Sequence, residues 1–199
     1  MLNFDRRFSR HAVVLSLLAL TMLAGSCGKK EESAETTPPP DTTSLPAPVA
    51  LTDANIAAIV VAANTIDIEN AQLAKSTSKN AAVKAFATQM ITDHTSVNKK
   101  ATELVTKLNV TPEENATSKG LVESANTTRE AMKAKTGADF DKAYIDNEVA
   151  YHQAVIDMLE KTLVPGATNA ELKALLESAE PVFKAHLEHA KTVQAALSK

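Results

Sequence analysis

Apolar residues recur every three or four positions through most of the chain after residue 51, which is the spacing of one buried face on an α-helix. The clearest example lies in residues 83–108, where a single polar residue, His94, interrupts the apolar stripe directly after Asp93. The stripe consists of Val83, Phe86, Met90, His94, Val97, Ala101, Leu104 and Leu108. No stretch of the sequence shows the alternation that is typical of a β-strand. The pattern therefore predicts an all-α protein.

The same spacing predicts five helices, separated by polar breaks or by glycine and proline. They cover about residues 53–75, 80–108, 116–135, 138–163 and 169–197. Thr52 or Asp53 can cap the first helix, and the pair Pro165 and Gly166 predicts the turn before the last one. The third segment is the most polar, which favours a crossover lying along a four-helix bundle. Pro181 lies inside the last helix and predicts a kink, because proline lacks the N–H group and its ring clashes with the carbonyl four residues before.

Each of the four long helices places one polar residue in its apolar stripe. These residues are Asp67, His94, His152 and His186. A buried imidazole or carboxylate must find a hydrogen-bond partner or a metal ion, or else it costs stability. Imidazole together with carboxylate suits Fe, Zn, Mn or Cu. The pattern predicts a transition-metal site that uses His94 and His152 with Asp67 or His186.

Other polar residues lie close enough in sequence to assist such a site. Asp93 adjoins His94, and Glu148 precedes His152 by four residues, so either carboxylate can ligate the ion or orient a ring. His189 follows His186 by three residues and is expected near the rim. Two tyrosines, Tyr144 and Tyr151, are expected to donate a hydrogen bond at the edge of the stripe rather than to perform redox chemistry.

Helix counting nevertheless places these groups at different heights. Asp67 lies about 10 residues before the first hairpin turn and His94 about 16 residues after it, an offset of roughly 9 Å at a rise of 1.5 Å per residue. His94 and His152 come out nearly level if their helices run parallel. His186 lies about two turns away unless the kink at Pro181 moves it. A site with two histidines, or buried Asp–His hydrogen-bond pairs, therefore fits the counting as well.

The first 26 residues have the composition of a signal peptide. Three arginines at positions 6, 7 and 10 precede an apolar run of about 13 residues, which is shorter than the roughly 20 needed to span a bilayer. Cys27, the only cysteine, follows the small residues 24–26. This arrangement resembles a bacterial lipoprotein signal, in which the cysteine is acylated; an ordinary secretory peptide is the alternative. A lone cysteine excludes a disulfide within one chain.

Residues 28–50 contain five of the eight prolines, with threonine, serine and charged residues between them. Such a composition predicts a disordered, extended tether. The predicted organisation is a signal peptide at 1–26, a tether at 27–50 and a helical bundle at 51–199. Gly28 resembles the residue after the cysteine in outer-membrane lipoproteins, and residues 29–32 resemble either a surface-export tag or a plain spacer. We expect a lipid-anchored protein of the cell envelope, with the membrane as a partner through its N-terminal lipid.

Charge and motifs exclude several classes of function. The net charge is −3, and it becomes −5 when the three arginines and one aspartate of residues 1–26 are removed. An acidic chain without tryptophan and with few aromatic residues is not expected to bind nucleic acid. The sequence also has no G-x-S-x-G motif and no glycine-rich phosphate loop, which argues against a conventional hydrolase or nucleotide enzyme. The sequence identifies no protein partner.

Two groups of motifs resemble the bacterial family called domain of unknown function 4142. The first group is IDI at residues 66–68 and MxxDH at 90–94; the second is DFD at 139–141 with Tyr144, followed by His152 and by proline and histidine at 181 and 186. The resemblance covers about residues 51–197. The family is grouped with ferritin-like bundles, so the resemblance implies four core helices with a long connection between the second and third. The functional residues that it implies are Asp67, Asp93, His94, His152 and His186, and it implies no activity.

The sequence departs from the ferritin di-iron pattern, in which two helices each carry Glu-x-x-His. Asp93 adjoins its histidine, so the two side chains point about 100° apart on the helix, and Glu148 and His152 are four residues apart. A dinuclear oxidase or iron store is therefore not favoured. Two hypotheses remain. One is an envelope-anchored metal-binding bundle, and the other is a non-catalytic envelope or stress-associated structural or interaction module with structural buried histidines.

Overall fold

The computed structural model describes residues 50–199. The predictions of a signal peptide at 1–26, of lipidation at Cys27 and of a tether at 27–50 lie outside the described residues, apart from position 50. None of the helices in the described part of the chain has the length and apolar character needed to cross a membrane.

The described residues form helices without any β-strand, so the prediction of an all-α protein is confirmed. The helices are α1 (Asp53–Thr77), α2 (Ala81–Lys107), α3 (Ala116–Lys133), α4 (Gly137–Met158), α5 (Val164–Gly166) and α6 (Ala170–Leu197), with a π-helical segment, Leu159–Leu163, between α4 and α5. The long helices begin and end within a few residues of the predicted boundaries.

The N-termini of α1, α2, α3 and α6 are capped by side chains that accept hydrogen bonds from backbone N–H groups left free by the first turn. Thr52 caps α1 in a capping box with Asn55, as the sequence predicted. Asparagines perform the same role at the start of α2, α3 and α6. Asp53 instead accepts hydrogen bonds from Thr168 and from the backbone N–H of Asn169. The starts of α1 and α6 are thereby joined at the same end of the bundle.

The four long helices pack as two antiparallel pairs, α1 with α2 and α4 with α6. One apolar cluster joins the start of α1 and α6 to the end of α2 and α4, and the other cluster joins the opposite ends of these helices. Hence α1 runs parallel to α6, and α2 runs parallel to α4. The polar helix α3 lies mainly against α1 and connects α2 to α4, which fits the expected crossover.

The expected turn at Pro165 and Gly166 is wrong, because the chain stays helical through both residues. The π-helical segment precedes Pro165, and its last hydrogen bond runs from the N–H of Val164 to the carbonyl of Leu159, five residues back. A wider turn leaves room for the proline ring, which would clash with the carbonyl four residues before it in a regular α-helix. The helix α6 likewise continues through Pro181. A kink there stays a prediction.

A layer of buried polar residues separates the two apolar clusters. One cluster is built around Ile56, Leu176 and Phe183, and the other around Phe86, Tyr144 and Ile145. The polar layer between them consists of Asn64, Asp67, His94, Glu148, His152 and His186, none more than 3 % exposed. Burying so many titratable groups in one layer is expensive unless they bind something or one another. This layer is the candidate functional site.

Candidate metal centre

The structure brings the four polar residues of the helical stripes together. Asp67, His94, His152 and His186 come from α1, α2, α4 and α6 respectively, one from each long helix. The centroids of the three imidazole rings lie 5.1 to 5.5 Å apart, and one ring nitrogen from each lies within 4.8 Å of the others. The expectation that His186 lies two turns away is therefore wrong.

The expected offset of roughly 9 Å between Asp67 and His94 is also wrong, since Asp67 Oδ2 lies 3.3 Å from His94 Nε2. Two facts explain the error. Asp67 precedes the last residue of α1 by ten positions and His94 follows the first residue of α2 by thirteen, which leaves an offset of only about 4.5 Å. Side chains also tilt toward the N-terminus of their own helix. In this antiparallel pair the two side chains tilt toward each other.

Each imidazole is held in place through one ring nitrogen, which settles where its proton lies. His94 Nδ1–H donates to Asn64 Oδ1 over 2.8 Å. The amide of Asn64 is itself oriented, because its Nδ2 donates to the carbonyl of Val60 over 2.8 Å. The ring of His94 also stacks on Phe183, with centroids 5.2 Å apart and planes within 10°. The unprotonated Nε2 of His94 therefore faces the interior of the polar layer.

The other two rings are held in the same way. His152 Nδ1–H donates to the backbone carbonyl of Glu148 over 3.0 Å. His186 Nε2–H donates to Asp93 Oδ2 over 2.9 Å, so Asp93 orients a histidine from another helix rather than its neighbour in sequence. Hydrogen bonds of this kind set the tautomer and orientation of metal-binding histidines. The second nitrogens, His152 Nε2 and His186 Nδ1, are left as lone-pair donors.

The free nitrogens and the Asp67 carboxylate have no hydrogen-bond partners among the described residues. The unpartnered atoms are both oxygens of Asp67, His94 Nε2, His152 Nε2 and His186 Nδ1. Asp67 Oδ2 lies 3.3 Å from His94 Nε2 and 3.5 Å from His152 Nε2. Two ligands bound to one tetrahedral ion at about 2.0–2.2 Å lie roughly 3.3–3.6 Å apart. The spacing of Asp67 from His94 and His152 therefore fits a shared ion.

A second carboxylate lies on the other side of His152. Glu148 is fully buried, its Oε2 has no hydrogen-bond partner, and it lies 3.5 Å from His152 Nδ1. Asp67, Glu148 and His152 also form a group whose ligand atoms lie within 4.8 Å of one another. Neither carboxylate forms an ion pair with a lysine or arginine in residues 50–199. Two buried acids therefore face neutral imidazoles without a permanent positive charge.

Burial shifts the protonation equilibria of all these groups toward their neutral forms. It raises the pKa of Asp67 to about 8. Burial and the nearby Asp67 raise the pKa of Glu148 well above its ordinary value. Burial lowers the pKa of His152 to about 4, and burial together with His152 and His186 lowers the pKa of His94 well below its ordinary value. The histidines are therefore neutral near pH 7, which is the form that binds metals.

The remaining residues singled out from the sequence have mixed outcomes. Tyr151 donates a hydrogen bond to the carbonyl of Ala63 over 2.9 Å, as expected. Tyr144 does not lie at the edge of the stripe; it is fully buried, and its hydroxyl has no partner among the described residues. His189 lies outside the cluster, where Nδ1–H donates to Gln89 Oε1 over 2.9 Å.

Two residues that shape the site were missed by the sequence analysis. Asn64 orients the ring of His94, and its position three residues before Asp67, on the same helical face, was the available signal. Phe183 forms the apolar wall against which that ring stacks. It lies three residues before His186, but nothing in the spacing indicates contact with a histidine from another helix.

A groove on the surface of the described part of the chain does not coincide with this cluster. It has a volume of about 480 Å³ and lies between α1 and α3, where Val61, Ile66 and Val122 form part of its walls. No member of the polar layer lines it. The buried polar residues of the described part of the chain lie instead beside small interior cavities of about 10 and 20 Å³.

Comparison with known proteins identifies the family but no function. Neither the curated proteins nor the solved structures contain a match to the chain, so the ferritin-like relationship stays a prediction. One family model, described as a domain of unknown function, matches residues 38–193, which include every residue of the candidate site. The protein therefore belongs to the family designated domain of unknown function 4142.

Proposed function

We propose that this protein binds one transition-metal ion in the interior of its helical bundle, through His94, His152, His186 and Asp67. The observation that carries the proposal is a set of buried atoms without hydrogen-bond partners: one ring nitrogen from each of the three histidines and the carboxylate of Asp67. The three histidines form one possible ligand group, and Asp67 contacts two of them. A buried polar atom without a partner costs about 1–3 kcal/mol. Several unpartnered lone-pair atoms in one place indicate that the missing partner is a cation.

The ligand set also selects the class of metal. Three neutral imidazoles and one carboxylate suit Zn, Fe, Mn or Cu, whereas Ca and Mg prefer sites built from oxygen ligands. Glu148 and the unpartnered hydroxyl of Tyr144 lie beyond this set, close to Asp67. They are available to hydrogen bond a ligand or water at the ion.

Metal analysis of purified protein tests the proposal directly. After chelation and reloading with Zn(II) or Fe(II), without any histidine tag, the wild type is expected to retain one ion per chain. His94→Ala and His186→Ala are expected to lose it, because each removes one of the four proposed ligands. His189→Ala is the matched control, since His189 is a histidine of the same helix that lies outside the cluster.

The competing function is a non-catalytic structural module, in which the hydrogen bonds to Asn64, Glu148 and Asp93 fully account for the buried histidines. This function requires that wild type and His189→Ala retain no metal above background. It also requires an unfolding midpoint that does not change with chelator or added metal. Either result in wild type contradicts the metal-binding proposal.

We further propose that acylated Cys27 anchors the bundle to a membrane of the cell envelope. The support is the sequence around residues 6–27, with a basic start, a short apolar run and small residues before the cysteine. In a bacterial host, wild type is expected in the membrane fraction and labelled by a radioactive fatty acid. Cys27→Ser is expected to lose the label. Labelling that is equal in both proteins would contradict the anchor.

A further inference from the structure

Two small cavities meet beside the proposed metal ligands. The first, of about 10 Å³, is bordered by Asp67, His94 and His152. The second, of about 20 Å³, shares Ala63, Asn64, Val155 and Phe183 with the first. Its other walls are apolar and include Leu159, Leu163, Leu176 and Ala179. The candidate ligands thus border a cavity that adjoins an apolar one.

We propose that the apolar cavity admits a small uncharged ligand, of the size and polarity of dioxygen or nitric oxide, to the bound ion. This inference rests on the proposed metal site. The step is coordination alone, in which the neutral ligand adds to the ion and no proton, electron or leaving group is exchanged with the protein.

The size and polarity of the cavities select this class of ligand. A volume of about 10–15 Å³ is the minimum that holds one water molecule, so an organic substrate is excluded. Water in the second cavity would need two to four polar partners. Its only polar side chain is Asn64, whose oxygen and nitrogen are already bonded to His94 and to the carbonyl of Val60. An uncharged diatomic ligand needs no such partners. An anion is disfavoured, because its transfer into an apolar cavity would cost the free energy of its hydration.

The local backbone supports a functional role for this cavity. Leu159 and Leu163 are the first and last residues of the π-helical segment, and both line the apolar cavity. The segment directly continues α4, the helix that carries His152. π-helical turns within α-helices are frequent at functional sites. The π-helical segment thus lies next to the apolar cavity.

Iron-loaded protein provides the test. Wild type is loaded anaerobically with one equivalent of Fe(II), and nitric oxide is added as the probe, with formation of the iron–nitrosyl followed by EPR and visible absorption. We expect an adduct in wild type. Azide, an anion of similar size, is expected to leave the spectrum of the same iron-loaded protein unchanged.

Cavity variants show whether the ligand uses the apolar cavity. Ala179→Leu fills it from a position that is not a ligand, and we expect adduct formation to slow by at least about tenfold at unchanged iron content. Ala179→Val adds less volume and is the alternative if the leucine variant does not fold. Its rate of adduct formation should be lower than that of wild type, by less than the factor expected for leucine. Ala185→Leu places the same side chain on the exposed face of α6 and should behave as wild type.

Three results overturn the inference. One is iron uptake without a nitrosyl adduct, and another is an equal rate in Ala179→Leu; both leave the metal site intact. A failure of wild type to take up iron contradicts the metal site itself, and the inference with it. Iron content, measured on every sample, distinguishes these cases.

Discussion

Asp67→Asn is expected to abolish tight metal binding and at the same time to stabilise the chelated protein. The variant loses the only negative charge among the four proposed ligands. Removing a residue that only hydrogen-bonds to a metal ligand lowers metal affinity by up to about 100-fold. Loss of the charge on a ligand itself should therefore lower the affinity for a divalent ion by more than about 100-fold. In the chelated wild type above pH 8, the deprotonated carboxylate of Asp67 faces the lone pairs of His94 and His152 without any donor. An asparagine amide can donate to one of these nitrogens.

The gain in stability should be about 1–3 kcal/mol well above pH 8, where Asp67 is mostly deprotonated, since this is the usual cost of an unsatisfied buried polar group. Urea unfolding in the presence of chelator measures it, and competition with a chromophoric chelator measures the affinity. Asp157→Asn is the control on α4, because Asp157 is partly exposed and pairs only with Lys161 and Gln153. Its effect on stability should stay below about 1 kcal/mol. A destabilised Asp67→Asn protein would show that Asp67 has a structural role instead.

Metal is expected to weaken the fall of stability with rising pH. Without metal, the raised pKa values of Asp67 and Glu148 mean that the folded state binds more protons than the unfolded state above the ordinary pKa of a carboxyl group. Stability therefore falls as pH rises toward about 8, by at most about 1.4 kcal/mol per pH unit for each group. With metal, Asp67 is deprotonated in the folded state as it is in the unfolded state, so its share of this fall disappears and the stabilisation by metal increases with pH.

The histidines act in the opposite direction, but only in acid. Their pKa values are lowered in the folded state, so the unfolded state binds more protons between about pH 4, the value for His152, and the ordinary value of 6.5. Their contribution to stability is lost as pH falls through that range. About one pH unit above 6.5, where the unfolded histidines are also almost fully deprotonated, the two carboxyl groups dominate these contributions to the slope of the chelated protein.

Unfolding midpoints at pH 6.5, 7.25 and 8.0, measured with chelator and with excess Zn(II), test this effect of metal. The two midpoints should move apart as pH rises. At a free metal concentration of 100 times Kd, the metal adds about 2.7 kcal/mol, which is several degrees for a domain of this size. A chelated protein whose midpoint rises with pH would contradict the raised carboxyl pKa values.

The helices and their buried faces were predictable because both depend on local periodicity. A spacing of three or four residues identifies the buried face whatever the partner helix is. Asp67, His94, His152 and His186 therefore lie inside, as expected. The π-helical segment was not predictable, because a proline such as Pro165 predicts an ordinary helix end when the packing around it is unknown.

The relation between residues on different helices was harder to predict. Counting from an approximate turn added several ångströms to the separation of Asp67 and His94, and it ignored the tilt of the side chains toward each other. The partner of Asp93 was equally inaccessible. Its neighbour in sequence is His94, yet it binds His186, which lies 93 residues away.

The sequence by itself determined that the chain is all-α and where its long helices lie. It also determined which polar residue of each of the four long core helices faces the interior. All of these follow from the periodicity of a single segment. Only the tertiary structure decided that three imidazoles and a carboxylate meet in one layer, and which nitrogen of each ring remains free. Those features depend on helix register and on hydrogen bonds between segments far apart in the chain. No local pattern encodes such contacts, since they form only when the four helices pack together.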